Sequence, residues 1–387
     1  MIKLIKSSFY NEAKTKNALV KFIKKAPIFS MNKECKKFEI QFAKKQKRKH
    51  ALFVSSGSMA NLVLIQALIN LGKLKKNDVV GVSALTWPTN IMPLIQLGLG
   101  TKLIDCELET LNISPTQLKQ HIGSIKALFI TNVLGLSDRL DKIRQICKQN
   151  NILLIEDNCE SLGSVTAGRL LGNFGLASTF SFFVGHHMST IEGGMICTDD
   201  DELFDMLTMV RAHGWDRNLP EKSKQKLRKL HKVNDFFALY TFYTLAYNAR
   251  PTEINGFIGN KQLPYLDKIV STRARNFKSF HQIASQNSDI IPLKLDHMDV
   301  ISNFAMPIIF RDEKTFQMYR ERFIKHKVEV RPIIAGDMAI QPFYRKYAKK
   351  QASCPNSLIV HHYGFYFGNN PELTKKEIAL ICKLLKK

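Results

Sequence analysis

The stretch ALFVSSGSMANLVLIQALINLGK, residues 51–73, changes character partway along. Its opening, ALFVSS (51–56), is a short apolar run of the kind a buried strand needs. From Met59 to Lys73 the pattern turns helical. Gly57 between them permits a tight turn. A strand feeding straight into a helix is the repeating unit of an α/β protein with a parallel sheet. At such a helix start the N–H groups of Gly57, Ser58 and Met59 would face an anion. The competing reading is an ordinary serine cap. Neither GxxxxGK nor GxGxxG, the usual nucleotide loops, occurs.

The alternation continues outward from this unit. Further strands are expected at 78–84, 101–107, 125–133, 151–158, 178–183 and 194–200, with helical patterns between the first five, as at 114–122. The expected architecture is α/β, a mostly parallel seven-stranded sheet between layers of helices. The last two strands are too close for a helical crossover, so one of them should run antiparallel or lie at the edge. After Arg250 the pattern changes. Residues 261–285 read as one long helix, and 303–310 and 328–334 as strands of a smaller lobe. The expected division is a large cofactor-binding domain, 1–250, and a smaller carboxy-terminal α/β domain, 251–387, linked through 221–250.

The 387 residues are 45% hydrophobic, enough to bury a sizeable core and to exclude disorder. The net charge of +24 points to an anionic partner of some kind. The basic residues are scattered, however, and no nucleic-acid motif runs through them. A solvated lysine-rich surface accounts for them, with mild attraction for an anionic nucleotide. No nucleic-acid partner is expected. Seven dispersed cysteines with no CxxC pair argue against a disulfide scaffold or a zinc site and fit a reducing cytoplasm. The start, MIKLIKSSFYNEAK, lacks the apolar core of a signal peptide, and no apolar run would span a bilayer. A cytoplasmic protein with no membrane partner is expected.

Ligands of such sheets collect at the carboxyl ends of strands. NILLIEDNCESLG (151–163) places Glu156, Asp157 and Glu160 after an apolar strand. A half-buried carboxylate there would stabilise a protonated ring nitrogen, or merely cap a helix. ALTWPTN (84–90) places Trp87 past a strand, where it would stack on a flat ligand or fill the core. STFSFFVGHHMSTIEGG (178–194) carries Ser181 and the pair His186–His187. Adjacent side chains diverge and no further ligand cluster is visible, so no metal site is expected. This stretch also lies in a gap: no lysine occurs from Gln149 to Glu221.

The motifs follow in the order glycine–serine turn, tryptophan, aspartate after a strand, SF…EGG, and YNARPTEINGFIG (247–259). In that order and spacing the chain resembles, over nearly its whole length, the sugar aminotransferase family of pyridoxal-phosphate enzymes. The resemblance implies pyridoxal-phosphate transferase fold type I, of the aspartate-aminotransferase kind. In that family a lysine five residues after the serine of the SF motif binds the cofactor covalently. Here that position is His186. One histidine-bearing branch is the nucleotide-sugar 4-keto-6-deoxyhexose 3-dehydratases, which IEDNCESLG, GHHMSTIEGG and RAHGWDRNLP resemble. A second such branch carries a 2Fe–2S cluster on cysteines that follow the region here reading RAHGWDRNLP (211–220). No cysteine follows here until Cys354, so no iron–sulfur cluster is expected.

The resemblance implies pyridoxamine or pyridoxal 5′-phosphate held non-covalently. Its phosphate would lie at Gly57, Ser58 and Ser181, its ring at Trp87 and its ring nitrogen at Asp157. Asn248 would reach the phosphate of a neighbouring subunit, because the family builds each site at a homodimer interface. Glu160 would touch the cofactor's 3-hydroxyl or the substrate. His213, Arg217, Arg250 and Arg331 would meet the sugar or pyrophosphate, or form surface and interface ion pairs. The implied reaction removes the C3 hydroxyl of a nucleotide-linked 4-keto-6-deoxyhexose, with GDP-4-keto-6-deoxy-D-mannose favoured. His186, with an ordinary pKa of about 6.5, would take a proton and return it to the departing hydroxide. L-Glutamate would regenerate pyridoxamine phosphate, and the product would enter deoxysugar and O-antigen lipopolysaccharide synthesis. The alternatives are a nucleotide-sugar 4-aminotransferase using a distant lysine, the nearest being Lys148 and Lys222, and a non-catalytic cofactor-binding regulator.

Overall fold

A computed structural model of the chain describes residues 1–348 and 353–387. Seven strands form one sheet: β1 (His50–Val54), β2 (Val79–Ser83), β3 (Gly100–Ile104), β4 (Ala127–Thr131), β5 (Leu153–Asp157), β6 (Ala177–Ser181) and β7 (Gly194–Thr198). Their spatial order is β1-β7-β6-β5-β4-β2-β3. β2, β3, β4, β5 and β6 pair in parallel. β7 is antiparallel to both neighbours, β6 and β1. Only residues 182–193 separate β6 from β7, too few for a crossover, so the chain turns back on itself. The expected antiparallel strand is therefore β7, and it lies inside the sheet rather than at its edge.

Both faces of the sheet are covered, which explains the continuous apolar strands. Alternate residues of β4 enter different layers. Ala127 and Phe129 pack with α1 (Gly57–Asn70) through Val63, Leu64 and Leu68. Leu128 and Ile130 pack with α2 (Leu140–Gln149) through Leu140, Ile143 and Ile146. α1 is wedged between the sheet and α3 (Asp201–Arg211), so it is apolar nearly all round. Each fully buried leucine or valine in it contributes about 1.5–3 kcal/mol. A third layer of aromatic side chains, Phe38, Phe42, Phe53, Phe180 and Phe182, packs on the β1–β7–β6 end.

A second, antiparallel sheet consists of β8 (Ala305–Ile309), β9 (Val330–Pro332) and β10 (Gly364–Gly368), in the order β8-β10-β9. β8 and β9 answer to the strands expected at 303–310 and 328–334, and β10 between them was not foreseen. The helix expected over 261–285 is interrupted. α4 (Glu253–Gln262) ends, a single 3₁₀ turn carries Pro264, and α5 (Leu266–Ala284) follows. Proline lacks an amide proton and crowds the preceding turn, so the two helices do not run through. Phe277 and Phe280 of α5 pack on the second sheet. The amino-terminal strand-like segment crosses to this sheet's side, where Ile2 pairs with Val328. Residues 221–250 contain an exposed helix, Glu221–His231, and a run with Phe236, Phe237, Tyr240, Phe242 and Leu245 all exposed. No described helix is long and apolar enough to cross a membrane.

Candidate active site

The carboxyl ends of β2, β4, β5 and β6 open onto one cavity of about 320 Å³. Gly57, Ser58, Trp87, Asp157, Glu160, Ser181, His186 and Arg331 all line it. Eight of the residues singled out from sequence thus converge on one place, although they span most of the chain.

The helix start is built as the first motif implied, with one difference. Ser56 is the N-cap of α1, and its Oγ accepts the Met59 N–H at 3.1 Å. Met59 is therefore not free to face an anion, and Gly57 and Ser58 remain at the cavity wall. A Cβ on Gly57 would lie 2.7 Å from the Ser181 Cβ. Glycine is what allows the helix start to sit against the end of β6.

Strand alternation separates the two acids that end β5. Glu156 points away from the cavity. It is fully buried and accepts the N–H groups of Gly172, Phe174 and Gly175 at 2.7, 2.7 and 2.8 Å. Asp157 points into the cavity wall. Its Oδ2 accepts Nδ2 of Asn61 at 3.0 Å and of Asn90 at 2.8 Å, and its Oδ1 accepts the Cys159 N–H at 2.9 Å. Among the described residues it forms no ion pair, although it is only 4% exposed. A carboxylate offers about four acceptor positions, and three are filled. A buried anion without a cation is costly, so the remaining position calls for a positively charged ligand atom.

Glu160 is also buried, and its Oε2 accepts the Leu134 N–H at 2.9 Å. Burial pushes its pKa up to about 8, against that hydrogen bond. At neutral pH it is a proton-bearing donor to the cavity. Trp87 is 53% exposed, so it is not a core tryptophan and its indole is open to a ligand.

His186 lies in the turn after β6, its N–H bonded to the Phe183 carbonyl at 2.9 Å. Its ring stands between two aromatic rings, Phe183 at 5.9 Å and Phe304 at 5.4 Å between centroids. Nδ1 is buried and has no partner. Burial lowers the pKa to about 4, against the opposing field of Asp157. The imidazole is neutral at working pH and can accept a proton. His187 is different. It is buried, and its Nε2 meets the Ser302 carbonyl oxygen at 3.0 Å, the contact of a structural residue. Arg331, from β9, reaches the cavity while paired with Glu329 at 2.6 Å.

Four residues singled out from sequence lie outside this cavity. They form one group around Trp215. The Arg217 guanidinium stacks on that indole at 4.0 Å, Arg250 lies 5.9 Å from it and the His213 ring 5.1 Å. Arg250 Nε donates to Asn248 Oδ1 at 2.9 Å. Asn248, Arg217 and Arg250 are exposed. Conversely, Asn61, Asn90, Phe304 and Tyr366 belong to the site and were not foreseen. Asn61 and Asn90 lie inside the motifs at 54–62 and 84–90, but only the fold shows that their amides face Asp157. Tyr366, on β10, and Phe304, just before β8, carry no signal of their own. No lysine lines the cavity, and among the described residues no group of three or more His, Cys, Asp or Glu could hold a metal ion.

The sheet order, the helix start at the cavity wall, the acid at the end of β5 and the open indole together define the architecture of pyridoxal-phosphate-dependent aminotransferases. The chain belongs to the DegT/DnrJ/EryC1/StrS aminotransferase family, whose pattern it matches over residues 11–386. It is 40% identical to the GDP-4-keto-6-deoxy-D-mannose 3-dehydratase of Escherichia coli O55:H7, with 93% of each chain covered. Two crystal structures of GDP-4-keto-6-deoxymannose-3-dehydratase match it with a TM-score of 0.91 at 33% identity, over the full length of both chains. One holds a trapped PLP–glutamate geminal diamine, and the other is a mutant with bound GDP-perosamine.

Proposed function

We propose that this chain is a pyridoxamine/pyridoxal-phosphate-dependent 3-dehydratase of nucleotide-linked 4-keto-6-deoxyhexoses, with GDP-4-keto-6-deoxy-D-mannose as its substrate and L-glutamate as its amino donor. One observation carries the reading. The residue poised at the cavity is a histidine with a free ring nitrogen, and no lysine lines the wall.

The cavity suits the cofactor on chemical grounds. Asp157 offers an unpaired buried carboxylate to a protonated ring nitrogen. The Gly57 and Ser58 amides and the Ser181 hydroxyl suit a phosphate, in space that a Cβ at position 57 would fill. The Trp87 indole offers an open aromatic face. When bound, the cofactor supplies the amine and the electron-withdrawing ring on which the elimination depends. His186 accepts a proton on a ring nitrogen and delivers one to the hydroxyl leaving C3. Phe183 and Phe304 shield that ring from bulk water. Glu160 donates a hydrogen bond into the cavity, and Arg331 supplies a cation for the sugar or pyrophosphate.

A second copy completes the site in this reading. Asn248, His213, Arg217 and Arg250 share one face, flanked by the exposed aromatic residues of 236–245, and that face turns to the partner's cavity in a homodimer. Full activity from a species that sediments as a monomer would remove this part. Residues 1–250 hold the cofactor, 251–387 close over it, and the enzyme serves deoxysugar and O-antigen synthesis in the cytoplasm.

The test is direct. Purified protein given pyridoxal phosphate, L-glutamate and GDP-4-keto-6-deoxymannose should release ammonia and a 3-deoxy-4-keto product. A stable 4-amino sugar instead would establish an aminotransferase and overturn the reading. Borohydride treatment of the pyridoxal-phosphate complex should leave the intact mass unchanged. A separate expectation concerns Gly57→Ala. The added methyl meets Ser181, and overpacking of this kind costs about 1–3 kcal/mol, so affinity for pyridoxal phosphate should fall about tenfold or more. Absorbance titration reads this, and an unchanged affinity would place the phosphate elsewhere.

A further inference from the structure

Behind His186 lies a second feature that the proposed reaction does not yet use. Arg273, on α5, is a buried arginine, 4% exposed, with no carboxylate partner among the described residues. Burial lowers the guanidinium pKa to about 9, so the side chain is still charged at neutral pH and its burial must be offset by hydrogen bonds. Those bonds go to main-chain carbonyls on three separate segments. Nη1 donates to the Asn369 oxygen at 2.5 Å and to the Asn303 oxygen at 3.4 Å, and Nη2 donates to the His186 oxygen at 3.4 Å. Asn369 follows β10 and Asn303 precedes β8, so two of the three anchors belong to the second sheet. The third is the main chain of His186 itself.

The surroundings reinforce this fork. The Asn369 side chain donates back to the Arg273 carbonyl at 2.9 Å and to Asn303 Oδ1 at 2.7 Å. His187, next in sequence, binds the Ser302 carbonyl through Nε2. The turn that carries His186 is thus tied to the chain entering β8 directly through His187 and, at the His186 carbonyl, through the Arg273 guanidinium. Phe304, which packs against the His186 ring, is on that same stretch. The His186 ring has little polar anchorage of its own, since its Nδ1 has no partner. Its ring position is therefore set through the main chain and the two flanking phenylalanines.

We infer that Arg273 is a positioning residue for His186: its guanidinium locks the main chain of the turn to the second sheet, so that the imidazole is held in register with Phe304 at the cavity. The inference rests on the dehydratase reading for its effect on rate but not for its effect on the ring. Lysine at this position keeps the charge but is a point donor. Its three N–H donors share one nitrogen, so it cannot hold carbonyls that the arginine reaches through two separate nitrogens of a planar fork.

The experiment compares Arg273→Lys and Arg273→Met with the full-length wild type. A 1 Å misplacement of a catalytic group costs about 100-fold, so kcat for dehydration should fall by about that factor in Arg273→Met and by less in Arg273→Lys. KM and the pyridoxal-phosphate affinity should stay within about twofold of wild type, because the residues at the phosphate and ring nitrogen are not touched. The second readout needs no activity. The His186 ring Cε1–H resonance, assigned by its loss in His186→Asn, should be single and sharp in wild type and broadened or doubled in both variants. Should the melting temperature show that Arg273→Met is unfolded, Arg273→Lys with His187→Leu, which removes the donor to the Ser302 carbonyl and so cuts the other tether, carries the test. An unchanged His186 resonance in folded variants overturns the inference, whether or not the wild type dehydrates the sugar. A parallel loss of kcat and cofactor affinity overturns it as well, since that would mark Arg273 as a general structural residue.

Discussion

His186→Asn should bind pyridoxal phosphate as the wild type does and lose dehydration by about 10³-fold, within the 10²–10⁴ range of a positioned acid–base group. Asparagine is smaller than histidine but fits between Phe183 and Phe304 without a clash, and it leaves Asp157, Gly57, Ser58 and Ser181 as they are. What it cannot do is accept a proton. Absorbance titration with the cofactor and product assay with the nucleotide sugar separate the two effects. Dehydration at the wild-type rate in this variant would remove His186 from the chemistry. His186→Lys should behave differently again. It places an amine at the wall, so borohydride treatment should now add the mass of the reduced cofactor.

The pH dependence follows from the same burial. The His186 pKa is lowered to about 4, so the neutral ring persists well below its ordinary titration range. The acid limb of kcat/KM should therefore lie near pH 4 rather than near 6.5. Between those values the unfolded chain binds a proton at this position and the folded chain does not. His186 accordingly costs stability as pH falls from about 6.5 to 4. Glu160 acts in the opposite sense. Its pKa is raised to about 8, so the folded state keeps a proton that the unfolded state has lost, and stability falls as pH rises from about 4.5 to 8. Ionisation of Glu160 turns a donor into an acceptor at the cavity wall. The alkaline limb should sit near pH 8 and vanish in Glu160→Gln.

The parts of the fold that were legible in the sequence are those governed by local pattern. β4 reads as a strand because Ala127–Thr131 is buried on both faces, and α1 reads as a helix because its apolar positions recur around the whole cylinder. The antiparallel strand was legible from the shortness of the connection, but its place between β1 and β6 was not. That placement depends on β7 pairing with β1, the first strand of the chain, a non-local pairing. The break at Pro264 was printed in the sequence and overridden by the apolar spacing on either side of it. At the site, residues at strand ends were readable because the position in a βα unit fixes where they point. Asn61, on the second turn of α1, and Asn90, after Trp87, were not, since nothing local distinguishes an amide that braces an acid from one that faces water. Arg273 reads as an ordinary helix-surface arginine. Only the packing of α5 under the turn at 185–189 makes it a buried cation.

Asp157→Asn should produce the second large loss, and it tests the cofactor's orientation rather than the proton carrier. The carboxylate is braced by Asn61, Asn90 and the Cys159 N–H, all donors. An asparagine at this position has one acceptor oxygen and one NH₂ group, so its NH₂ must face at least one of those donors. The substitution thus removes the negative charge offered to the ring nitrogen and also sets donor against donor in a buried place. Loss of a charge-assisted hydrogen bond costs about 1.5–3 kcal/mol, so pyridoxal-phosphate affinity should fall roughly 10- to 100-fold. Loss of a preorganised charge opposite the reacting ring costs a further 10²–10³ in kcat, about the effect of deleting an oxyanion-hole donor. At saturating cofactor the variant should therefore be occupied yet slow, and Asp157→Glu should recover little, because one extra methylene pushes the carboxyl out of the Asn61–Asn90 brace. Saturating-cofactor kinetics decide the matter. A variant that regains full kcat once enough cofactor is supplied would show that Asp157 only binds, and that the charge at the ring nitrogen plays no part in expelling the C3 hydroxyl.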